Sequence, residues 1–478
     1  MAITRRPLLL GALCYALAST ALTRSAIAQS ATTGFEGEWN GALQVGAQTL
    51  RLHLSISGAT ATMFSVDQNN ARIPATITVD HDQIGLIFPS VGASFAGRLV
   101  NGRIEGQFTQ GQTFPLAFDR GEAPAAPPPA PSPPPPVPLT ADVLSGLRVQ
   151  SGAPAIAAMA TKLNGRTLAL ADGLRSADAR TPVTTRDQWH LGSITKSMTA
   201  TLIARCVEAG VVSWDDSVGG VLVASIPDMR AEYRDVTFKH LMSHRAGLQA
   251  NIPIEQFANF HRELPDARVE RLAWSRLALL QEPAGPKETT FLYSNSGPVI
   301  AGAMLEAKLG ATWEDIIRTR LFAPLGLSSA GFGAAGRAGA LDQPVGHAQG
   351  AAGPHTPYPP GGAISDNPAA LGPAGRVHMN FPDLLKYLSA HRDKRADFLR
   401  AESWDTLHTP PFGGDYALGW MRRGDTLWHN GSNTLFYAEV IVDFSRGIVA
   451  AAAANDGNLA AVTPCVARAL ECAGMAVA

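Results

Sequence analysis

The chain has 478 residues, with 39 Lys and Arg against 40 Asp and Glu, 46% hydrophobic and 17% charged residues. That length exceeds one ordinary domain and suits two to three. A net charge of −1 leaves no electrostatic footprint for nucleic acid or an anionic lipid surface.

In chain order, residues 1–28 read as an export signal and are set apart from the fold. Arg5-Arg6 precede an apolar run from Leu8 to Leu22, and Ala26-Ile27-Ala28 supplies a small-x-small cleavage pattern before Gln29. Thr4-Arg5-Arg6-Pro7-Leu8-Leu9 also fits a twin-arginine signal, which implies export after folding; a general secretory signal holding two arginines fits as well. The expected location is the periplasm or the exterior. No other stretch reads as long and apolar enough to span a bilayer. Loss of the signal removes Cys14 and leaves Cys206, Cys465 and Cys472. The last two fall in one helix expected to start at Pro464. Seven residues at ~1.5 Å each set them roughly 10 Å apart, beyond disulfide reach, so buried thiols are expected.

Residues 34–120 carry strand signal throughout. Leu50, Leu52, Leu54 and Ile56 alternate with Arg51, His53 and Ser55, the period of a strand with one face in a core. The alternation returns in Ile73 to Val79, Ile84 to Phe88, Phe95 to Leu99, Ile104 to Phe108 and Phe114 to Phe118. Turn residues such as Asp80-His81-Asp82 and Asn101-Gly102 lie between. Seven or eight short antiparallel strands predict a small closed or nearly closed barrel, filled by its own side chains. Residues 121–138, with Pro127-Pro128-Pro129 and Pro133-Pro134-Pro135-Pro136, read as an extended spacer between two domains.

From residue 139 to 478 the pattern is mixed. Thr140 is placed to cap a helix over Ala141–Gln150, strands follow at Ala155–Thr161 and Thr167–Leu174, and Trp189 and His190 lie on a core strand. The stretch from Ser197 to Gly210 reads as a helix, with Met198, Leu202, Ile203 and Val207 at helical spacing and Gly210 to stop it. Ser193 and Lys196 open this helix three positions apart, so the amine can reach the hydroxyl. A serine is a poor nucleophile until a base takes its proton, and this pair supplies both groups. Strands return at Thr426–His429, Phe436–Asp443 and Ile448–Ala454. His240 and His244, four apart, have metal-chelating spacing, but no acidic or third ligand is near in sequence. They are expected as buried structural groups, with no metal or cofactor.

Tyr293-Ser294-Asn295 and His429-Asn430-Gly431-Ser432 follow Ser193-Ile194-Thr195-Lys196 in order. Ser-x-x-Lys, Tyr-x-Asn and basic-x-Gly together resemble the serine β-lactamase and penicillin-binding protein superfamily, nearest its class C-related branch of esterases and D-amino-acid peptidases. His240 to Leu248, Phe291 to Gly297 and Tyr416 to Trp420 extend the resemblance, which covers about 340 residues. It implies an α+β fold in which an antiparallel sheet flanked by helices meets a helical subdomain. It also implies roles. Ser193 would form an acyl-enzyme, Lys196 would act as base, and the Ser193 and Ser432 amides would bind the oxyanion. Tyr293 would shuttle a proton, its pKa near 10 falling in the field of Lys196. Asn295 would bond the lysine and a substrate amide, and with His429, Gly431 and Ser432 would line the substrate and oxyanion site. Gly372-Pro373-Ala374-Gly375 resembles a loop near the family's active site.

His429 departs from the lysine of the β-lactamases proper. A histidine is mostly neutral above about pH 6.5 and is expected to offer a carboxylate a cation only below about pH 6. The expected function is therefore an exported serine hydrolase of the esterase or D-amino-acid peptidase type, acting on a small ester, a peptide or a cell-wall fragment. A class C-like β-lactamase and a non-catalytic peptidoglycan-binding protein remain as alternatives.

Overall fold

The computed structural model describes residues 34–122 and 136–478, apart from 46–47, 59, 67–70, 89–92 and 111 in the first stretch and 350–354 and 363 in the second. The stretch expected to be an export signal and the middle of the proline-rich spacer lie outside the described residues. The chain divides into two compact units, one ending at Pro134 and the other beginning at Pro135.

The first unit is a closed barrel of eight consecutive strands: β1 (Gly37–Val45), β2 (Gln48–Ser57), β3 (Thr60–Ser65), β4 (Ala71–Asp80), β5 (Gln83–Phe88), β6 (Ala93–Val100), β7 (Arg103–Gln110) and β8 (Gln112–Arg120). Each pairs antiparallel with its neighbour, and β1 closes on β8. Asn101 and Gly102 take φ of 53° and 81° between the paired residues Val100 and Arg103, the left-handed geometry that an Asn-Gly hairpin turn requires. The inward residues, among them Trp39, Leu54, Ile56, Leu86, Phe95, Ile104 and Phe118, are at most 2% exposed and fill the lumen. An eight-stranded barrel is only wide enough for side chains or one small ligand, and here side chains occupy it.

The second unit opens with helix α1 (Ala141–Ser151), where the Thr140 hydroxyl accepts from the Val143 amide and Gly152 ends the helix at φ 71°. Strands β9 (Ala155–Lys162) and β10 (Thr167–Gly173) join a six-stranded antiparallel sheet in the order Thr167–Gly173, Ala155–Lys162, Ile448–Ala454, Tyr437–Asp443, Thr426–Ser432, Met421–Arg423. Strand Ile448–Ala454 is buried on both faces, which explains its run of alanines: helices press on it from both sides. One of them, Leu459–Val477, begins five residues before Pro464, which sits inside it. At 19 residues with mean hydropathy 1.3, this helix is long and apolar enough to cross a membrane, contrary to the sequence expectation. Its apolar face, including Val462, Val466 and Ala469, packs with Ile156, Ala158 and Ala450 of the sheet. Cys206, Cys465 and Cys472 are buried free thiols. The other side of the sheet meets the helical region around α2 (Thr195–Glu208), where the motifs described above converge.

Candidate active site

Strand β11 (Gln188–His190) pairs with Val377–Asn380 and delivers the chain to a single 3₁₀ turn, Gly192–Ile194, that runs into α2. Gly192 adopts φ 49°, a turn that glycine makes without steric cost and that aims Ser193 at the sheet. The nucleophile thus precedes the α-helix by one tight turn instead of lying in its first turn. Two straps hold this turn: the Leu191 amide donates to the Val377 carbonyl at 2.9 Å, and the Thr195 hydroxyl accepts from the Val377 amide at 3.1 Å.

Lys196 is fully buried one turn further on. Its Nζ lies 2.9 Å from Ser193 Oγ, 2.8 Å from Asn295 Oδ1 and 2.8 Å from the Ala374 carbonyl. Burial lowers this amine to about 7, with no carboxylate among its three partners to hold the proton on. Two of those partners can only accept. The Ala374 oxygen is a carbonyl, and the Asn295 amide is turned oxygen-inward with its Nδ2 donating to Asn251 Oδ1 at 2.9 Å. A neutral Lys196 therefore directs both N–H bonds at Asn295 and Ala374, and its lone pair faces Ser193 Oγ.

The Tyr293 hydroxyl lies beside Ser193, and its ring centroid lies 4.9 Å from Lys196 Nζ. Burial pushes its hydroxyl above the ordinary tyrosine range, and the neighbouring Ser193 offsets this only in part, so the expected fall in its pKa does not occur. Tyr293 stays protonated and is a donor. Asn295 stands at the start of helix Ser296–Leu309, its own amide donating to the Ala250 carbonyl at 2.8 Å.

The third motif occupies the end of strand Thr426–Ser432. A Cβ on Gly431 would stand 2.1 Å from the Leu191 carbonyl and 2.5 Å from the Ser193 amide nitrogen, so only glycine lets the two backbones touch. The Ser432 amide is thereby brought against the Gly192–Ser193 turn: a Cβ on Gly192 would stand 2.3 Å from its nitrogen. His429 is buried beside them. Its Nδ1 donates to the Asn430 carbonyl at 2.5 Å, which leaves Nε2 to accept from the Tyr416 hydroxyl at 2.9 Å. Burial and then the positive charge of Lys196 lower it to about 3. The expected protonation below pH 6 is therefore overturned: His429 is neutral throughout the working range.

The structure adds groups that sequence reasoning assigned no role. Tyr416, in the Tyr416 to Trp420 segment, caps His429. The His244 ring lies 4.2 Å from that of Tyr293 and 4.6 Å from that of Tyr416, with its Nδ1 accepting from the Ser294 amide at 3.1 Å. His240 instead bonds Thr237 and Glu288, so the two histidines do not converge on one site. Tyr416 and His244 lie in segments whose resemblance was visible. Asn251 had no signal, because only the folded loop brings it to Asn295. Ala374 acts through its carbonyl, to which side-chain patterns are blind.

Residues 140–469 match the family profile described as Beta-lactamase. Penicillin-binding protein 4 of Amycolatopsis lactamdurans is 30% identical over 181 residues, covering 38% of this chain and 45% of that protein. The chain spans about half or less of the length of the curated relatives it matches. Among solved structures, the D-amino acid amidase of Ochrobactrum anthropi SV3 superimposes with a TM-score of 0.55 at 21% identity, covering 69% of this chain and 97% of that one. EstCE1, a hydrolase with promiscuous acyltransferase activity, does so with 0.57 at 17%, covering 71% and 98%. At these identities the structures speak for the fold, a β-lactamase and transpeptidase-like arrangement. The profile match spans well over half of the sequence, and the chain belongs to the Beta-lactamase family of hydrolases.

Proposed function

We propose that this chain is an exported serine hydrolase that works through an acyl-enzyme on Ser193 and cleaves esters or amides whose acyl part carries no free carboxylate. Esterase or D-amino-acid peptidase chemistry fits it best. The observation that carries the proposal is the buried Lys196 amine, lowered to about 7 and 2.9 Å from Ser193 Oγ. Neutral Lys196 takes the Ser193 proton as Oγ bonds to the carbonyl carbon. The oxyanion faces the Ser193 and Ser432 amides, which need no reorganisation to receive it. On collapse the carbon–leaving-group bond breaks. Lys196 returns the proton, with the nearby Tyr293 hydroxyl as relay to the leaving oxygen or nitrogen. Water then attacks the acyl-enzyme by the same route and restores Ser193. A neutral His429 offers no charge to a substrate carboxylate, which supports an uncharged acyl group and ranks β-lactams last.

The test is covalent labelling followed by a substrate panel. A fluorophosphonate should add its mass to the peptide bearing Ser193 in the native protein and to none in Ser193→Ala. Among a neutral chromogenic ester, a D-aminoacyl anilide and a cephalosporin, the cephalosporin should turn over slowest. Absence of labelling would make the protein a binder that kept the fold, and a fastest cephalosporin would make it a β-lactamase. Export belongs to the same proposal: N-terminal sequencing of periplasmic protein should begin at or near Gln29, and a cytoplasmic, uncleaved product refutes it.

A further inference from the structure

We propose that Asp366 is a positioning residue that holds the two walls of the oxyanion site in register. The proposal rests on the acyl-enzyme reading above, in which those walls are the Gly192–Ser193 turn and the Ser432–Asn433 strand end. Asp366 sits in the loop before Ala369–Leu371, its carboxylate sealed from solvent. Oδ1 lies 3.0 Å from His190 Nε2 and 2.9 Å from Asn433 Nδ2. Oδ2 accepts from Arg376 Nε at 3.1 Å. One carboxylate oxygen thus reaches a side chain from each wall.

Each of those side chains holds the backbone next to an oxyanion donor. His190 Nδ1 accepts from the Gly192 amide at 3.1 Å, immediately before Ser193. An amide nitrogen can only donate, so Nδ1 is bare and the imidazole proton sits on Nε2, facing Asp366. The Nε2 contact is close but bent, an electrostatic tether more than an aligned hydrogen bond. Asn433, immediately after Ser432, accepts through Oδ1 from the Leu435 and Phe436 amides at 3.2 and 3.0 Å and so fixes the strand turn. The His190 ring also lies against that of Phe436, centroids 6.1 Å apart. Arg376 balances the buried charge and is itself held by Glu263 and the Arg262 carbonyl. Burial alone would raise Asp366, but His190, Arg376 and Asn433 together hold it ionised. A buried carboxylate with this many donors is strongly oriented, and removing its charge leaves the donors without a common acceptor.

The experiment uses the full chain and a neutral chromogenic ester. Asp366→Asn should lower kcat about 10²-fold with KM nearly unchanged, because oxyanion donors act on the transition state. His190→Leu should match it. His190→Asn, whose side-chain oxygen stands near the position of Nδ1 and can accept from Gly192, should recover most of the rate. The Asp366→Asn, His190→Leu double variant should be no worse than either single one. The measurement that a merely structural role would not move is the side-chain ¹⁵N spectrum of histidine-labelled protein. The resonance lost in His190→Asn should report a bare Nδ1 and protonated Nε2, with the Nε2 signal displaced in Asp366→Asn while Nδ1 stays bare toward the Gly192 amide. If Asp366→Asn fails to fold, Asn433→Ala, which cuts one arm only, and the native tautomer decide instead. A protonated Nδ1 in the native protein, or a folded Asp366→Asn with kcat within twofold of native, overturns the proposal. Turnover surviving in Ser193→Ala would instead remove the acyl-enzyme reading, while the tautomer still reports on the tether.

Discussion

Among the described residues, the barrel buries only His53 and Ser65 of its polar side chains, whereas the second unit buries Lys196, Arg271, Glu306, Asp366, Arg376 and His429. The barrel interior is an apolar filling whose polar exceptions sit near its wall: His53 bonds Asn40 and Glu38, both on β1. In the second unit the buried charges are of two kinds. Arg271 is saturated by Glu306, Glu314 and two carbonyls and ties helices together. Lys196 has no carboxylate and pays for its position in pKa. Burying a charge costs several kcal/mol unless it is paired, so the unpaired one marks where the fold gives up stability for reactivity.

The largest test of that contrast is removal of the reactive pair. Ser193→Ala and Lys196→Ala should each cut kcat/KM by about 10⁴-fold or more, and the double variant should be no worse, because the two act as one unit. Additive losses, measured on a neutral ester, would separate Lys196 from Ser193.

The pH dependence comes next. The base must be neutral and titrates near 7, so kcat/KM should rise about tenfold per pH unit below 7 and level off above it. Tyr293, pushed upward, should add no alkaline fall below about pH 10. Asn295→Asp would set a carboxylate on the amine, favour the ammonium and move the rising limb a unit or more to higher pH. Stability should run the other way. Between about 7 and the ordinary lysine value of 10.5, the unfolded chain holds a proton that the folded chain has lost, so native stability rises with pH there. Lys196→Met should therefore be inactive yet melt higher than native. The gap should be greatest at or below pH 7 and shrink toward pH 10.5. A melting temperature below native at pH 7 would mean that the three hydrogen bonds of Nζ outweigh its desolvation.

A smaller effect is expected at the third motif. With His429 neutral, the ratio of kcat/KM for an anionic and a neutral substrate should be flat from pH 5 to 8. Tyr416→Phe, which removes the donor to Nε2, should cost about tenfold, the scale of one buried hydrogen bond left unmade. A ratio that climbs below pH 6 would restore the expectation drawn from sequence and place the imidazolium in the substrate's path.

What the sequence disclosed follows the same division. Period-two alternation made the barrel strands legible, and Asn101-Gly102 marked its turn. The nucleophile, the base and the order of the motifs were legible because those chemistries need particular residues at particular spacings. The protonation states were not. Tyr293 and His429 have ordinary pKa values in a sequence, and only burial, joined for His429 by the charge of Lys196, decides that both stay neutral. Helix Leu459–Val477 was read as starting at Pro464, yet the proline is its sixth residue, one turn inside the start, where the helix forgoes one amide bond to the preceding turn. Asp366 was invisible because its partners lie 176 and 67 residues away and meet only in the fold.

The smallest effect on catalysis should come from the barrel. It has its own apolar core, and the chain divides between Pro134 and Pro135. A fragment of residues 136–478 should fold and turn over a neutral ester with kcat within twofold of the full chain, because every group placed in the mechanism lies in the second unit. Leu54→Ala, at a position 0% exposed in the barrel lumen, should remove about 2–5 kcal/mol from the barrel's own unfolding transition and leave kcat unchanged. Calorimetry on the full chain would resolve two transitions and show which one moves. A single transition that shifts as a whole, or an inactive 136–478 fragment, would make the barrel part of the catalytic unit. The apolar filling would then be as much a support of the reactive lysine as the helices around it.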